Sequence, residues 1–279
     1  MDWLNDWNKA LAYLEANLDG DIDPKELGRL AGCSAYHFQR MFSYLAGIPL
    51  GEYIRRRRMT RAAADLQNGE KVLDVALRYG YESPTAFNRA FQAVHKLPPS
   101  QAKQEGVKLK AFPSIHFKFV LKGAEEMEYQ IEKREAFRIV GFRTPLPAAV
   151  EESFQVVPRF WAEIGPRQAE LVPLMNGEPA GMLGVCTCDE EENFYYIAVA
   201  SSAPAPEGMH EWMVPAATWA VFAGTGRLPE AMQELQKRIV SEYLPDSGYG
   251  WAKAPDIEVY LNRPGEESRF QVWLPVTMR

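Results

Sequence analysis

The nonapeptide SAYHFQRMF, residues 34–42, returns forty-nine residues later as SPTAFNRAF, residues 83–91. Ser34 matches Ser83, Phe38 matches Phe87, Arg40 matches Arg89 and Phe42 matches Phe91. The likeness continues upstream, where ELGRLAGCS (26–34) parallels DVALRYGYES (74–83), and downstream, where GIP (47–49) parallels KLP (96–98). Whatever unit the first copy forms, the second must form too. In each copy the spacing predicts helix, glycine turn, helix. Asp23 is placed to cap the first helix, Pro24 suits its first position, and Glu26 completes a capping-box-like pattern. Gly32 and Gly80 fall where a helix ends in a left-handed residue, which glycine adopts at little cost. Ser34 and Ser83 then cap the second helices, and Pro84 takes the first position of the later one.

Phe38, Met41, Phe42 and Leu45 share one face at helical spacing, as do Phe87, Ala90, Phe91 and Val94. Off that stripe lie Tyr36, Gln39 and Arg40 in the first copy and Thr85, Asn88 and Arg89 in the second. Two helices joined by a short glycine turn, the second presenting polar side chains near its N-terminus, form the helix-turn-helix unit that reads the DNA major groove. Two copies in one chain can enter two groove segments about 34 Å apart, one turn of the duplex. Residues 50–67, LGEYIRRRRMTRAAADLQ, are predicted to form the helix that sets their separation. Its four consecutive arginines point four ways on a helix, so one or two are expected on phosphates and Arg58 on an acidic neighbour. His37 and His95 fall inside the repeated helices and read as packing or phosphate contacts rather than catalytic groups.

Charge supports a basic module beside an acidic one. Residues 1–110 carry 16 basic and 13 acidic side chains, whereas residues 111–279 carry 15 and 24. The chain of 279 residues is 47% hydrophobic, enough for two domains with cores of their own. It holds no long uncharged apolar run, so no membrane contact is expected, and its start, MDWLNDWNKALAYL, is acidic and amphipathic rather than signal-like. A cytoplasmic protein is expected. Three cysteines, Cys33, Cys186 and Cys188, are too few and too odd in number for a disulfide framework.

With these motifs in view, residues 9–103 resemble the DNA-binding domain of the AraC/XylS family of bacterial transcription regulators, and VALRYGYESPTAFNRAFQAVHKLPPSQ carries the likeness most fully. The resemblance implies double-stranded promoter DNA as a partner. Carried over position by position, it implies contacts from Ser34, Tyr36, Gln39 and Arg40 in the first copy and from Ser83, Pro84, Thr85, Asn88 and Arg89 in the second. Pro84 departs in kind, because it has no N–H to donate and any base contact there must be apolar. Activation is the commoner regulatory sense in that family, which implies RNA polymerase as a further partner. Monomer and homodimer both stay open.

The second half changes pattern. The boundary is expected near 108–112, giving domains of 1–108 and 109–279, with SIHFKFV as a first strand. EYQIEKREAFRIVGFRT reads as two strands or one bent strand, residues 150–164 as a helix interrupted or kinked at Pro158, and MLGVCTC and FYYIAVA as strands flanking an acidic turn. EWMVPAATWAVFAG, a helix at 229–244, and the strands DIEVYL and RFQVWLPV repeat the order. The expected architecture is an all-α double helix-turn-helix domain followed by an α+β domain of two β-α-β-β units, with helices on one face of the sheet and a groove on the other.

In DIEVYL, Ile257, Val259 and Leu261 share one face, and Glu258 and Tyr260 the other. A carboxylate beside an aromatic, opposite a purely apolar face, must find a partner. A hydrophobic cation among aromatic rings supplies one, and Lys253 is an alternative from the chain itself. Tyr195 and Tyr196 are among the nearby rings, and Tyr260, Trp161, Tyr196, Trp219, Phe222 and Trp251 are the candidate lining. This half resembles the GyrI-like effector-binding domain in FWAEI, GVCTCDEEENFYYIAVA, VPAATWAVF, YLPDSGYGW and DIEVYL followed by WLPV. That likeness implies a small-molecule effector anchored at Glu258. At Trp219 the chain has tryptophan where that family usually has tyrosine, which alters the pocket and leaves effector identity open.

Other functions have weaker footing. Some GyrI-like domains resemble hydrolases of small electrophiles, and a ligand-independent DNA-binding protein is a third possibility. However, His116 and His210, the histidines outside the repeat, join no nucleophile–base set. No nucleophile elbow, P-loop or dinucleotide glycine pattern occurs. Cys186 and Cys188 alternate onto one strand face, but two thiols with no nearby histidine do not make a metal site. No cofactor, metal or catalytic residue is expected.

Overall fold

The computed structural model describes residues 3–117, 126–147, 150–187, 193–262 and 267–278, the side chains of residues 150, 151 and 154 excepted. The N-terminal part consists of α1 (Trp3–Ala16), α2 (Pro24–Ala31), α3 (Ala35–Ala46), α4 (Leu50–Gln67), α5 (Val72–Arg78) and α6 (Pro84–His95). The turn chemistry follows the repeat. Asp23 caps α2, accepting from the Lys25 amide, and Gly32 closes that helix at φ 74°. Ser34 caps α3 through the His37 amide, and Ser83 caps α6 through the Ala86 amide. Gly80, at φ 79°, makes the equivalent turn in the second copy. Glu26 bonds Arg29 rather than reaching back to the cap.

Each copy has its own core. Phe38, Met41 and Phe42 pack with Trp7, Leu11 and Leu14 of α1. Phe87, Phe91 and Val94 pack around Val75 and Tyr79. Helix α4 joins the two, giving Leu50 and Tyr53 to the first core and Met59, Ala62 and Leu66 to the second. Its arginines are held internally. Arg55 and Arg56 pair with Glu52, and Arg57 with Glu15 at 2.7 Å. Arg58 corrects an expectation: its partners are the carbonyls of Leu18 and Gly20, at 2.9 and 2.7 Å, not an acid. The backbone just past the end of α1 leaves carbonyls free, and a guanidinium is suited to collect them.

Residues beyond α6 stay with this half. The Phe112 amide donates to Thr60, the Ile115 amide to the Tyr53 hydroxyl, and Phe117 exchanges two hydrogen bonds with the Asn8 side chain. Ile115 and Phe117 pack on the first core. Ser114–Phe117 therefore forms an extended strap, not the expected strand, because its backbone groups are taken by side chains of α1 and α4. The remainder of SIHFKFV lies outside the described residues.

The second part is one antiparallel sheet. Its strands are β1 (Tyr129–Arg134), β2 (Phe137–Pro145), β3 (Met182–Cys186), β4 (Phe194–Ala200), β5 (His210–Val214), β6 (Ala217–Gly226), β7 (Tyr249–Trp251), β8 (Ile257–Tyr260) and β9 (Ser268–Met278). The order is β1-β6-β9-β8-β3-β4-β2-β5, with β7 also on β9. Outward from the central β8–β3 pair the two sides repeat: β8-β9-β6 answers β3-β4-β2. The leading strands are exchanged, β1 flanking the second unit and β5 the first. Helix α7 (Val150–Ile164) serves the first unit and runs through Pro158. In the second, α8 (Glu230–Arg238) continues through a π-helical segment, Ile239–Tyr243, into α9 (Leu244–Asp246). Among the described residues no helix is long and apolar enough to cross a membrane.

Candidate functional site

The two β-α-β-β units meet at β8 and β3, and there the sheet opens into a cavity of about 1200 Å³. Strand alternation sets its chemistry. Ile257 and Val259 point into the fully buried core, while Glu258 and Tyr260 point into the cavity. Leu261 lies past the strand end and is exposed at the cavity rim.

Glu258 is held by three neutral donors. Gln236 donates to Oε1 at 2.8 Å, and the Tyr195 and Tyr260 hydroxyls donate to Oε2 at 3.0 and 2.9 Å. The Trp161 indole donates to the Tyr195 oxygen at 2.9 Å and meets the Tyr260 ring edge-on, 4.9 Å between centroids. Burial, and then the Glu258 charge, push both phenols well above their ordinary range, so both remain proton donors. Opposite Glu258 in the register stands Gly184. A Cβ there would lie 2.3 Å from the Tyr195 hydroxyl and 2.9 Å from Oε2 of Glu258, so only glycine admits this cage.

Trp161 and Val157 of α7 and Met232 and Gln236 of α8 line the cavity too, so it lies on the helix-covered face of the sheet and not, as expected, on the opposite one; a further wall comes from α3. Tyr36, Arg40 and Tyr44, one per helical turn, line the cavity together. Tyr36 belongs to the cluster formed by Phe142, Cys186 and Tyr195 of the sheet. The Tyr44 hydroxyl donates to Gln236 Oε1 at 3.0 Å, linking α3 to Glu258 through one amide. Beside the cavity, Asp256 receives Arg40 Nη2 on Oδ2 at 2.5 Å and His37 Nε2 on Oδ1 at 3.0 Å. Burial alone would raise the Asp256 carboxyl, but Arg40 and His37 hold it well below the usual carboxylate range. Burial lowers His37, with Arg40 adding to the effect and Asp256 opposing it. The neutral imidazole then donates through Nε2 to Asp256 and accepts at Nδ1 from the Ser34 hydroxyl, 2.9 Å away. The Cys186 thiol, 3.7 Å from the Tyr36 hydroxyl, is pushed up to about 12 by burial and stays protonated. Cys188 lies outside the described residues.

Of the predicted effector contacts, Glu258, Tyr260 and Trp161 converge on the cavity. Tyr196, Trp219, Phe222 and Trp251 do not line it, which corrects the expected set. Tyr196 is the wrong parity on β4: it faces Trp212 and the core, while its neighbour Tyr195 faces Glu258. Trp219 is buried against Trp273. Phe222 packs against Tyr243 and Ile239, where the second unit's helices cover the sheet. Trp251 packs at a tilt on His37, 4.3 Å between centroids. Lys253 is exposed and bonds nothing at Glu258. Asp256, Gln236 and Tyr44 are site residues the sequence did not point to, and Tyr195, noted as a nearby ring, takes the place expected of Tyr196. The 36/40/44 spacing was the signal for α3.

The predicted DNA contacts divide between the two copies. On α6, Ser83, Pro84, Thr85 and Arg89 are exposed, and Asn88 is half-buried with its amide oxygen accepting from Gln92. On α3, Ser34 and Gln39 are half-buried, whereas Tyr36 and Arg40 are each only 8% exposed, against the sheet domain.

Residues 127–277 match the family of GyrI-like small molecule binding domains, and residues 27–105 match a helix-turn-helix domain family. The chain belongs to the GyrI-like family and carries an AraC-type helix-turn-helix domain before it. It is 37% identical over 94 residues to the HTH-type transcriptional activator AarP of Providencia stuartii, spanning 33% of this chain and 70% of that protein. It is 25% identical over 266 residues to the right origin-binding protein of Escherichia coli K12, spanning 93% of this chain and 90% of that one. The solved structure of SAV2435 bound to tetraphenylphosphonium superposes on 54% of this chain and 94% of its own, with a TM-score of 0.49 and 23% identity. The protein is a DNA-binding transcription regulator of the AraC family with a small-molecule-binding domain.

Proposed function

We propose that the effector is a drug-sized hydrophobic organic cation seated against Glu258 between the rings of Trp161, Tyr195 and Tyr260. One observation carries this reading: among the described residues Glu258 has three hydrogen-bond donors, all neutral, so its charge is solvated but not matched there. Arg40, the cation of the opposite wall, is matched by Asp256. The cavity thus keeps a net negative charge among aromatic faces, the combination that favours cations. At about 1200 Å³ it admits a molecule of several rings.

On the DNA side, Thr85, Asn88 and Arg89 of α6 are the base-reading side chains, with Pro84 making an apolar contact and Ser83 a backbone one. Ser34, Tyr36, Gln39 and Arg40 of α3 read the second segment. Transcriptional activation, the sense carried by the name of AarP, is the proposed output, with RNA polymerase as protein partner.

The test titrates the full chain with tetraphenylphosphonium and with the neutral triphenylphosphine oxide, following tryptophan fluorescence. Saturable quenching by the cation alone is expected. Glu258→Gln should weaken it by up to about a hundredfold, since two unit charges about 6 Å apart attract by about 2.8 kcal/mol at an effective dielectric constant of about 20. Equal binding by wild type and variant would remove Glu258 as the anchor.

A further inference from the structure

The two copies of the repeat are equivalent in sequence but not in setting. At the offset of forty-nine, Arg40 corresponds to Arg89 and Tyr36 to Thr85. Arg89 and Thr85 face solvent, whereas Arg40 and Tyr36 are buried against the sheet domain and His37 is only 2% exposed. A duplex can reach α6 as it stands. It cannot reach the same face of α3 without separating that helix from β3, β8 and α8.

What holds α3 resembles what DNA would offer it. Asp256 presents two anionic oxygens, one to the Arg40 guanidinium and one to the His37 N–H. A phosphate diester presents two oxygens of the same kind to the same donors. The fit to Asp256 is incomplete, because Arg40 Nε is buried and finds no acceptor among the described residues. The docked face is also the cavity wall, through Tyr36, Arg40 and Tyr44.

We propose that α3 is shared between two ligands: the face that reads DNA is clasped by Asp256 as a wall of the effector cavity, so operator DNA and the closed effector site compete for it. The inference rests on the DNA-reading role proposed for α3. An effector that touches Tyr36, Arg40 or Tyr44 binds the docked form better and must oppose DNA engagement by α3. Conversely, DNA that takes α3 removes one wall of the effector site. Tyr36, Arg40 and Tyr44 are then specificity-determining residues for the effector, although they belong to the DNA-binding part of the chain.

The experiment uses the full chain and a labelled duplex recovered from a random pool by in vitro selection on the same protein. Affinity is measured by fluorescence anisotropy for the wild type, Asp256→Asn, Gln39→Ala and the double variant. Asp256→Asn keeps the side-chain shape and weakens the clasp, so it should bind the duplex at least about tenfold tighter. In parallel, the Cys186 thiol is timed with a thiol reagent in a Cys33→Ser, Cys188→Ser background. Because Tyr36 and Arg40 cover that thiol, adding the duplex should raise its reactivity. Unchanged affinity in Asp256→Asn together with a thiol that stays protected on DNA overturns the clasp, even if Gln39→Ala weakens binding. If Gln39→Ala has no effect in either background, α3 does not read DNA, and the reading on which the clasp rests falls with it. Asp256→Asn losing its fold would leave the thiol measurement on the unmodified clasp to decide.

Discussion

Gly184→Ala places one methyl group at the centre of the effector cage. Its carbon would sit 2.3 Å from the Tyr195 oxygen, 2.9 Å from Glu258 Oε2 and 3.1 Å from the Tyr195 ring carbon that bears the hydroxyl. Ordinary contact needs about 3.5 Å, so the phenol must retreat by about 1 Å. Tyr195 packs in one cluster with Phe142, Phe160 and Leu171, so the phenol can retreat only toward the cavity it lines, which displaces it from its cage. Overpacking of this kind costs about 1–3 kcal/mol. The retreat also breaks the hydrogen bonds from Trp161 to Tyr195 and from Tyr195 to Glu258, each contributing about 1 kcal/mol. A total near 3–5 kcal/mol corresponds to a fall in Tm of about 6–20 °C for the sheet domain. Circular dichroism melting of the full chain measures it. The decisive comparison is the cycle with Tyr195→Phe, which removes the atom in closest conflict and leaves the contacts at 2.9 Å to Glu258 Oε2 and 3.1 Å to the ring carbon. The double variant should be more stable than the sum of the two losses by about 1 kcal/mol or more. Strict additivity, or a neutral Gly184→Ala, would refute the cage as described.

The two reading helices and the buried histidine give further tests. Arg89→Ala on the exposed α6 should weaken binding of the selected duplex by about 1–3 kcal/mol, the range of a specific base contact, while leaving tetraphenylphosphonium quenching unchanged; anisotropy and fluorescence on one preparation check both. His95 donates through Nε2 to the Met59 carbonyl at 3.0 Å and accepts the Lys110 amide at Nδ1, 3.2 Å away, so only the neutral ring fits. Burial lowers its pKa, so the folded state binds the proton less well than the unfolded chain. The stability this contributes is complete above the unfolded value of about 6.5 and is lost as pH falls below it toward the folded pKa. Melting temperature against pH should drop more steeply through that range in wild type than in His95→Gln.

Local chemistry made the first domain readable. The caps Asp23, Ser34 and Ser83, the turns at Gly32 and Gly80, and the phenylalanine stripes are all short-range signals, and each acts in the structure as its residue type requires. Glu258 and Tyr260 were readable for the same reason, since strand parity is local once the strand is found. Tyr196 failed because FYYIAVA is apolar on both faces. With every residue from Tyr195 to Ala200 buried, alternation cannot say which tyrosine meets Glu258; only pairing across β3 and β8 decides it. Asp256 was invisible for a different reason. Its partners, His37 and Arg40, lie 219 and 216 residues away, and a single acid before a strand carries no mark of a long-range ion pair.

That asymmetry between local and long-range information explains why a duplicated sequence can give an unduplicated function. Both halves of the chain are built from a repeated unit, the helix-turn-helix and the β-α-β-β, and repetition alone would yield two equal reading helices and two equal sheet units. The equality is broken at one place, where the central β8–β3 pair of the sheet meets α3 rather than α6. The caps Ser34 and Ser83, the turns Gly32 and Gly80 and the core rings Phe38/Phe87 and Phe42/Phe91 are the same in both copies because each must build the same unit. Off the core stripe Arg40 and Arg89 match, but their neighbours differ: His37 and Tyr36 in one copy, Ala86 and Thr85 in the other. Ala86 could not donate to Asp256, and Thr85 could not fill the space between Cys186 and Phe142 that Tyr36 occupies. The same replacements that make α3 unlike α6 as a reader of DNA make it the copy that fits the sheet domain. Grafting Thr85 and Ala86 into α3, as Tyr36→Thr and His37→Ala, therefore removes the contacts of the docked face that set α3 apart from α6, leaving those of Arg40 and Tyr44, while keeping the helix-turn-helix frame.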